Sequence, residues 1–330
     1  MAVEPSLPVT KVAVSTQAER DRARLTRSAA IASIATAAFL LVLKVWASWR
    51  TGSTAMLGSL ADTALDLVAS LATLVSVWIA AQPADHNHRF GHGKAEALSA
   101  VFQVLLIGLS AVGIAWRAIS ALVSGDRTAA AAEGIAVSIV AILVTLALLG
   151  WQRYVISRTR SVAISADHVH YQSDLLLNLA VIAALALDQY LGFGMADPVF
   201  GIAIALWLAW GAWSAGNEAV HQLMDHEWPE EKRQQFVEVA ARHPELSNLH
   251  DLRTRTSGHK DFAQFHVDLP GDMSVARAHD IIESVERDLC AQFPHLELLI
   301  HIDPEGHVDE PENPLVEEDE FAKLENNTPS

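Results

Sequence analysis

The sequence predicts an α-helical membrane domain of six transmembrane helices followed by a small α+β domain. Two observations predict the first part. Six long apolar segments precede about Ala215, each close to the ~20 residues that cross a hydrocarbon core. Two of those segments place metal-ligand side chains four residues apart, a spacing that belongs to one helix face. One observation predicts the second part. From about residue 216 the pattern becomes short and amphipathic, in the order α-β-β-α-β.

Composition excludes several classes. The chain has 330 residues, 51% of them hydrophobic, and a formal net charge of −16. That charge argues against a nucleic-acid partner. The single cysteine, Cys290, rules out an intrachain disulfide and any paired-cysteine zinc site. Histidine is the informative residue: ten of 15 lie from His221 onward and three crowd into His86–His92.

Residues 1–27 read as a cytoplasmic tail, disordered over about the first fifteen, with Arg20, Arg22, Arg24 and Arg27 abutting the first span. No cleavable signal is apparent. The spans fall at roughly 28–49, 54–80, 96–122, 131–156, 162–188 and 197–215, making 28–215 the membrane domain. Arg89, Lys94, Arg153, Arg158 and Arg160 share a side with the N-terminal arginines. The opposite loops hold Arg50 and Arg127 against Asp126, Glu133, Asp188 and Asp197. By the positive-inside rule both termini are cytoplasmic. Small residues such as Gly58, Ala61, Ala64, Ala69 and Ser70 suit close helix packing in lipid.

Asp62 with Asp66 on span two, and His170 with Asp174 on span five, each form a two-ligand edge. Together they offer three carboxylates and one imidazole, enough for a four-coordinate divalent cation. Acids at membrane depth are expensive and mark pathways or partners. The plainer reading pairs them with Lys44 or Arg117, but two matched edges exceed what counter-ions need. Between spans two and three, Asp85, His88 and His92 form a plausible loop site, with His86 in reserve and Gly91 and Gly93 supplying the bend. The bland alternative there is a hydrated loop.

Residues 216–304 form the α+β domain. Helices are expected over 229–242 and 274–293, and strands over 249–255, 262–269 and 297–302, with both helices on one face of the sheet. Period-two alternation can bring His250, His266 and His301 together, with Asp303 facing as His301 does. With His279, this set could hold one or two zinc-like ions, although any single histidine is more often just solvated. Residues 305–330 are acidic and rich in Pro and Asn, and read as disordered.

These stretches, taken in order, resemble the cation diffusion facilitator family, most closely its bacterial ferrous-iron/zinc efflux branch. The resemblance covers about residues 25–304. It is carried by Ala61-Asp62 through Asp66, Gln82-Pro83-Ala84-Asp85 through Glu96, His170 through Asp174, His250 through Arg255, and Ile300 through Pro304. It implies a homodimer in the bacterial inner membrane that exchanges a cytoplasmic divalent metal for protons. It assigns Asp62, Asp66, His170 and Asp174 to the transport site, and Asp85, His88 and His92 to the loop site. His250, His266, His279, His301 and Asp303 match a binuclear site in a metallochaperone-like domain. Lys94 and Asp225 match a charge pair near the hinge. His86 stands where relatives often have an acid, and Ile302 replaces a polar residue.

The mixed donor set suits Zn²⁺, with Fe²⁺, Cd²⁺ and Co²⁺ as possible substrates, and His170 as the residue that sets selectivity. Expected partners are membrane lipid, divalent metal ions, protons and a second copy. Two rivals are a passive metal channel and a membrane-bound metal sensor. An enzyme is not expected, since no HExxH motif occurs.

Overall fold

A computed structural model describes residues 9–51, 54–124, 134–191, 195–306 and 319–327. The loop of Asp126, Arg127 and Glu133 lies outside the described residues, as do the side chains of Arg50, Gly58, Ala61, Asp62, Asp188 and Asp197. Contacts divide the chain into two compact units, Thr16–His221 and one built on Gln222–Ser330.

The first unit contains six long helices: α1 (Val9–Thr51), α2 (Thr54–Ala80), α3 (Lys94–Ser124), α4 (Gly134–Thr159), α5 (Val162–Leu191) and α6 (Ala196–Leu223). The helix through the first span begins at Val9, so part of the expected tail is helical. Extending an existing helix needs no new nucleus, and Ala, Arg and Glu extend it well. Among the described residues, α1, α2, α3, α4 and α6 each hold a stretch long and apolar enough to cross a membrane.

The helix α5 is packed among the others. It contributes to each of the unit's four buried clusters, with Ala163 and Ile164 in one, Val169 and Leu176 in the next, Val162 and Ala166 in a third, and Tyr171 in the last. A helix surrounded by protein need not be apolar, and α5 can therefore carry Asp167, His170 and Asp174. Large apolar side chains on the surrounding helices point outward instead: Trp49, Leu109, Trp116 and Trp213 are 70–85% exposed, as lipid contact requires. Small residues let the backbones close. Ala29, Ala30, Ala100 and Ala163 are fully buried. A Cβ at Gly211 would lie 3.1 Å from Val169, which brings α6 close against α5.

The second unit runs α7 (Glu230–Ala240), β1 (Ser247–Ser257), β2 (Lys260–Leu269), α8 (Val275–Gln292), β3 (Leu296–Pro304) and α9 (Glu320–Asn327). The first five follow the expected αββαβ order. Pro229 caps α7 with extended backbone rather than entering its first turn, and Ser274 caps α8 by accepting from the Arg277 N–H. The sheet order is β1-β2-β3, with β1 antiparallel to β2 and β2 parallel to β3 through the α8 crossover. The β1–β2 hairpin turns at Gly258, φ 63°, where a side chain would be strained.

Phe236, Val237, Ile281, Val285 and Leu289 of the helices pack on Ala263, Phe265, Val267 and Leu269 of β2. Phe236 is wholly buried and lies 5.6 Å from the rings of Phe265 and Phe293 and 5.8 Å from Trp228. Phe236→Ala is expected to destabilise this unit by about 3–5 kcal/mol. Hydrogen exchange of β2 in the full-length protein checks it, and unchanged protection would refute the placement of this core.

The tail read as disordered is corrected at residues 319–327. There α9 packs Phe321 and Leu324 against the same core, and Glu320 pairs with Arg233 at 2.5 Å. A short amphipathic helix is marginal alone but stable on an apolar surface, and that surface is invisible in the tail's composition.

Candidate metal centres

Three groups of ligand-bearing side chains converge. In the membrane unit, Asp66 of α2 and His170 of α5 meet at 2.9 Å (Oδ1 to Nε2), and Asp174, one turn on, lies 4.0 Å from the same nitrogen. One donor atom from each lies within 4.8 Å of the others. Small side-chain rotations would bring all three to the ~2.0–2.2 Å that zinc takes to nitrogen and carboxylate oxygen. Asp62 belongs to α2 one turn before Asp66, and its side chain lies outside the described residues. The counter-ion reading is not needed for Asp66, whose described partner is His170. Lys44 donates to Thr63 at 2.6 Å, and Arg117 is exposed.

The loop group is Asp85, His88 and His92. Asp85 Oδ1 accepts the backbone N–H groups of His88 at 2.6 Å and Asn87 at 2.8 Å. The His88 amide, above all, holds this exposed carboxyl below its ordinary range, so it remains a charged ligand at neutral pH. His92 Nε2 stands 3.4 Å from Asp85 Oδ2, and the His88 and His92 rings lie tilted with centroids 4.5 Å apart. Gly91, φ 84°, makes the bend; Gly93 does not share that conformation. His86 is exposed and outside the group.

In the second unit His250, His266 and His301 lie in register across the three strands. Ring centroids are 5.3 Å apart for the first pair and 4.6 Å for the second. Asp303 links them: it accepts from His266 Nδ1 at 2.8 Å and lies 3.8 Å from His250 and 3.5 Å from His301. These residues occupy the face of β2 opposite Phe265 and Val267. Two register shifts in β1, with φ near 50° at Asn248 and Asp251, orient His250 toward them. Three imidazoles and a carboxylate match a zinc-type donor set. His279 is exposed on α8, in the helical layer on the other side of the sheet, and a single chain does not bring it to the group. Lys94 and Asp225 belong to different units, and within its own unit Asp225 pairs with Arg255 at 3.3 Å.

Two buried polar clusters escape sequence reading. Glu96, 1% exposed, pairs with Arg22 at 3.2 Å and accepts from Ser161 at 2.5 Å. Arg22 is thus an ion-pair partner as well as one of the basic residues flanking the first span. Asp167 gathers Ser33, Gln103 and Gln152. Its signal was an acid three residues before His170, but its partners lie on three other helices.

Residues 30–224 match the model of the cation efflux transmembrane domain, and residues 228–305 that of the cation efflux protein cytoplasmic domain. This chain is a cation diffusion facilitator. The cation-efflux pump FieF of Serratia proteamaculans is 42% identical over 286 residues, 87% of this chain and 95% of the relative. That of Cronobacter sakazakii is 40% identical over 284 residues, 86% and 94% respectively. Among solved structures, the metal-bound C-terminal domain of the CzcD transporter from Thermotoga maritima is 27% identical, covering 25% of this chain and 99% of that one, with a TM-score of 0.23. The chain is therefore a multi-pass membrane transporter that exports metal cations, with a cytoplasmic α+β domain, and is not an enzyme.

Proposed function

We propose that this facilitator is a Zn²⁺/H⁺ antiporter of the bacterial inner membrane, also accepting Fe²⁺ or Cd²⁺, that works as a homodimer with both termini cytoplasmic. The observation that carries the reading is the meeting of Asp66, His170 and Asp174 between α2 and α5. Asp62 completes a three-carboxylate, one-imidazole set in this reading. The nitrogen donor favours zinc over manganese, which prefers oxygen alone. Each ligand must lose its proton before it binds metal, so loading expels protons and protonation expels metal. Alternating exposure of the site to the two sides then lets an inward proton gradient drive export.

The loop group is read as an entry or regulatory site. The His250, His266, His301 and Asp303 group is read as a resident zinc site that stiffens the cytoplasmic domain and the dimer. Lys94 and Asp225 are read as an interlocking charge pair between protomers.

The test is Zn²⁺ flux into proteoliposomes under an imposed pH gradient. Flux that follows the size and sign of the gradient is expected. Flux indifferent to it would mean a channel, and zinc binding without flux would mean a sensor.

A further inference from the structure

Asp167 is fully buried in the membrane unit, and the transport reading gives it no task. It lies on α5 one turn before His170, about 4.5 Å along the axis. Three neutral donors from three other helices hold it. The Ser33 hydroxyl of α1 at 2.5 Å and the Gln152 amide of α4 at 2.8 Å reach Oδ2, while the Gln103 amide of α3 reaches Oδ1 at 3.2 Å. The same Gln103 nitrogen contacts Thr73 of α2, and the Gln152 carbonyl oxygen faces His168 Nδ1 at 3.1 Å. Four helices therefore meet at one carboxyl group, and α2 joins them through Gln103.

No cation among the described residues lies within ion-pair distance of either oxygen. The ionisable groups that act on it are His170 and Tyr171 on its own helix and Asp66 on α2. His168 of α5 joins through Gln152, with Arg153 of α4 beside it. From α1 and α3 it meets only Ser33 and Gln103, and Glu96 of α3, two turns back, is taken up by Arg22. A buried carboxylate held by neutral donors alone is costly as an anion. As an acid it needs an acceptor for its proton.

Such an acceptor is at hand. Gln103 Oε1 is buried and has no hydrogen-bond partner. Turning that amide through half a rotation exchanges its N–H and C=O with almost no change in shape. The carbonyl then receives the Asp167 proton, and the Thr73 hydroxyl can turn to it from the Ala69 carbonyl it now serves. In its present orientation the carbonyl has no donor; beside a protonated Asp167 it has two. The turn exchanges the end of the amide that is left without a partner, the carbonyl now and the NH2 group beside the protonated acid.

We propose that Asp167, with Gln103 as its reversible partner, is a second proton-holding group of the transport cycle that does not itself bind the metal. An O–H bond forms on Oδ1 with a proton delivered by water from the acidic side. It breaks when zinc loads one turn away, and the proton leaves to water. The inference rests on the antiport reading above.

The test counts protons released per Zn²⁺ bound by the full-length protein in nanodiscs, using a pH indicator in weak buffer, for the parent and for Asp167→Asn. Asparagine keeps the size and polar contacts but cannot titrate. The variant is expected to bind zinc within about threefold of the parent at high pH, to release up to about one proton fewer, and to show a correspondingly shallower pH dependence of zinc affinity. Asp167→Glu should restore the release. Equal release and equal pH dependence in parent and Asp167→Asn would overturn the proposal while leaving antiport intact. Should Asp167→Asn fail to fold, Gln103→Met removes the partner alone, and an unshifted pH midpoint of release would overturn it too. A parent that releases no proton on binding zinc would instead refute the antiport reading.

Discussion

Asp66→Ala is expected to abolish zinc flux and to weaken zinc binding in the membrane unit by more than about 100-fold, since even outer-shell partners of metal ligands are worth 10–100-fold. Asp66 is the only described carboxylate in direct contact with His170, at 2.9 Å, whereas Asp174 stands 4.0 Å away. Removing it leaves an imidazole and a single near carboxylate on one helix, with nothing described from α2 to close the shell. Alanine is the best helix former, so α2 itself should survive. Flux is read with a zinc dye trapped in proteoliposomes, and affinity by competition with a chelator. A variant that folds as the parent does and still transports would move the transport site elsewhere.

Asp303→Ala is expected to remove most of the stabilisation that zinc confers on the cytoplasmic domain. The carboxylate contacts or approaches all three imidazoles of its group and is 6% exposed. Without it, three imidazoles of the group remain, with no carboxylate among the converging donors. Weakening the site about 100-fold subtracts about 2.7 kcal/mol of linked stability when zinc saturates the parent. The measurement is the zinc-dependent shift in thermal unfolding of the full-length protein, with an EDTA-treated control. An unchanged shift would mean that these histidines hold no resident zinc. Zinc binding at Asp66 and His170 should be unaffected, because the two groups belong to separate units.

How far the site was legible differs from residue to residue. Asp66, His170 and Asp174 were readable because helix periodicity is local: four residues make one turn whatever the helix packs against. His266 with His301 needed more. Period two states which face each occupies, but only the parallel pairing of β2 and β3 puts them opposite one another. His250 needed more still, since its facing depends on two register shifts in β1. His279 is the reverse case, a ligand-type residue that the sequence reading grouped with the others and that the fold of one chain leaves on the far layer.

By itself the sequence determined that this chain has apolar helices long enough to span a membrane, an αββαβ domain, and ligand pairs at helical spacing. Periodicity, span length and turn chemistry act over a few residues and so are written locally. Only the tertiary structure decided that α5 is the central helix, that Asp167 collects polar groups from α1, α3 and α4, and that α9 docks on the cytoplasmic core. Those outcomes depend on which surfaces exclude lipid or water from one another. That is settled between residues more than a hundred positions apart, as between Ser33 and Asp167, where no local pattern records the partner.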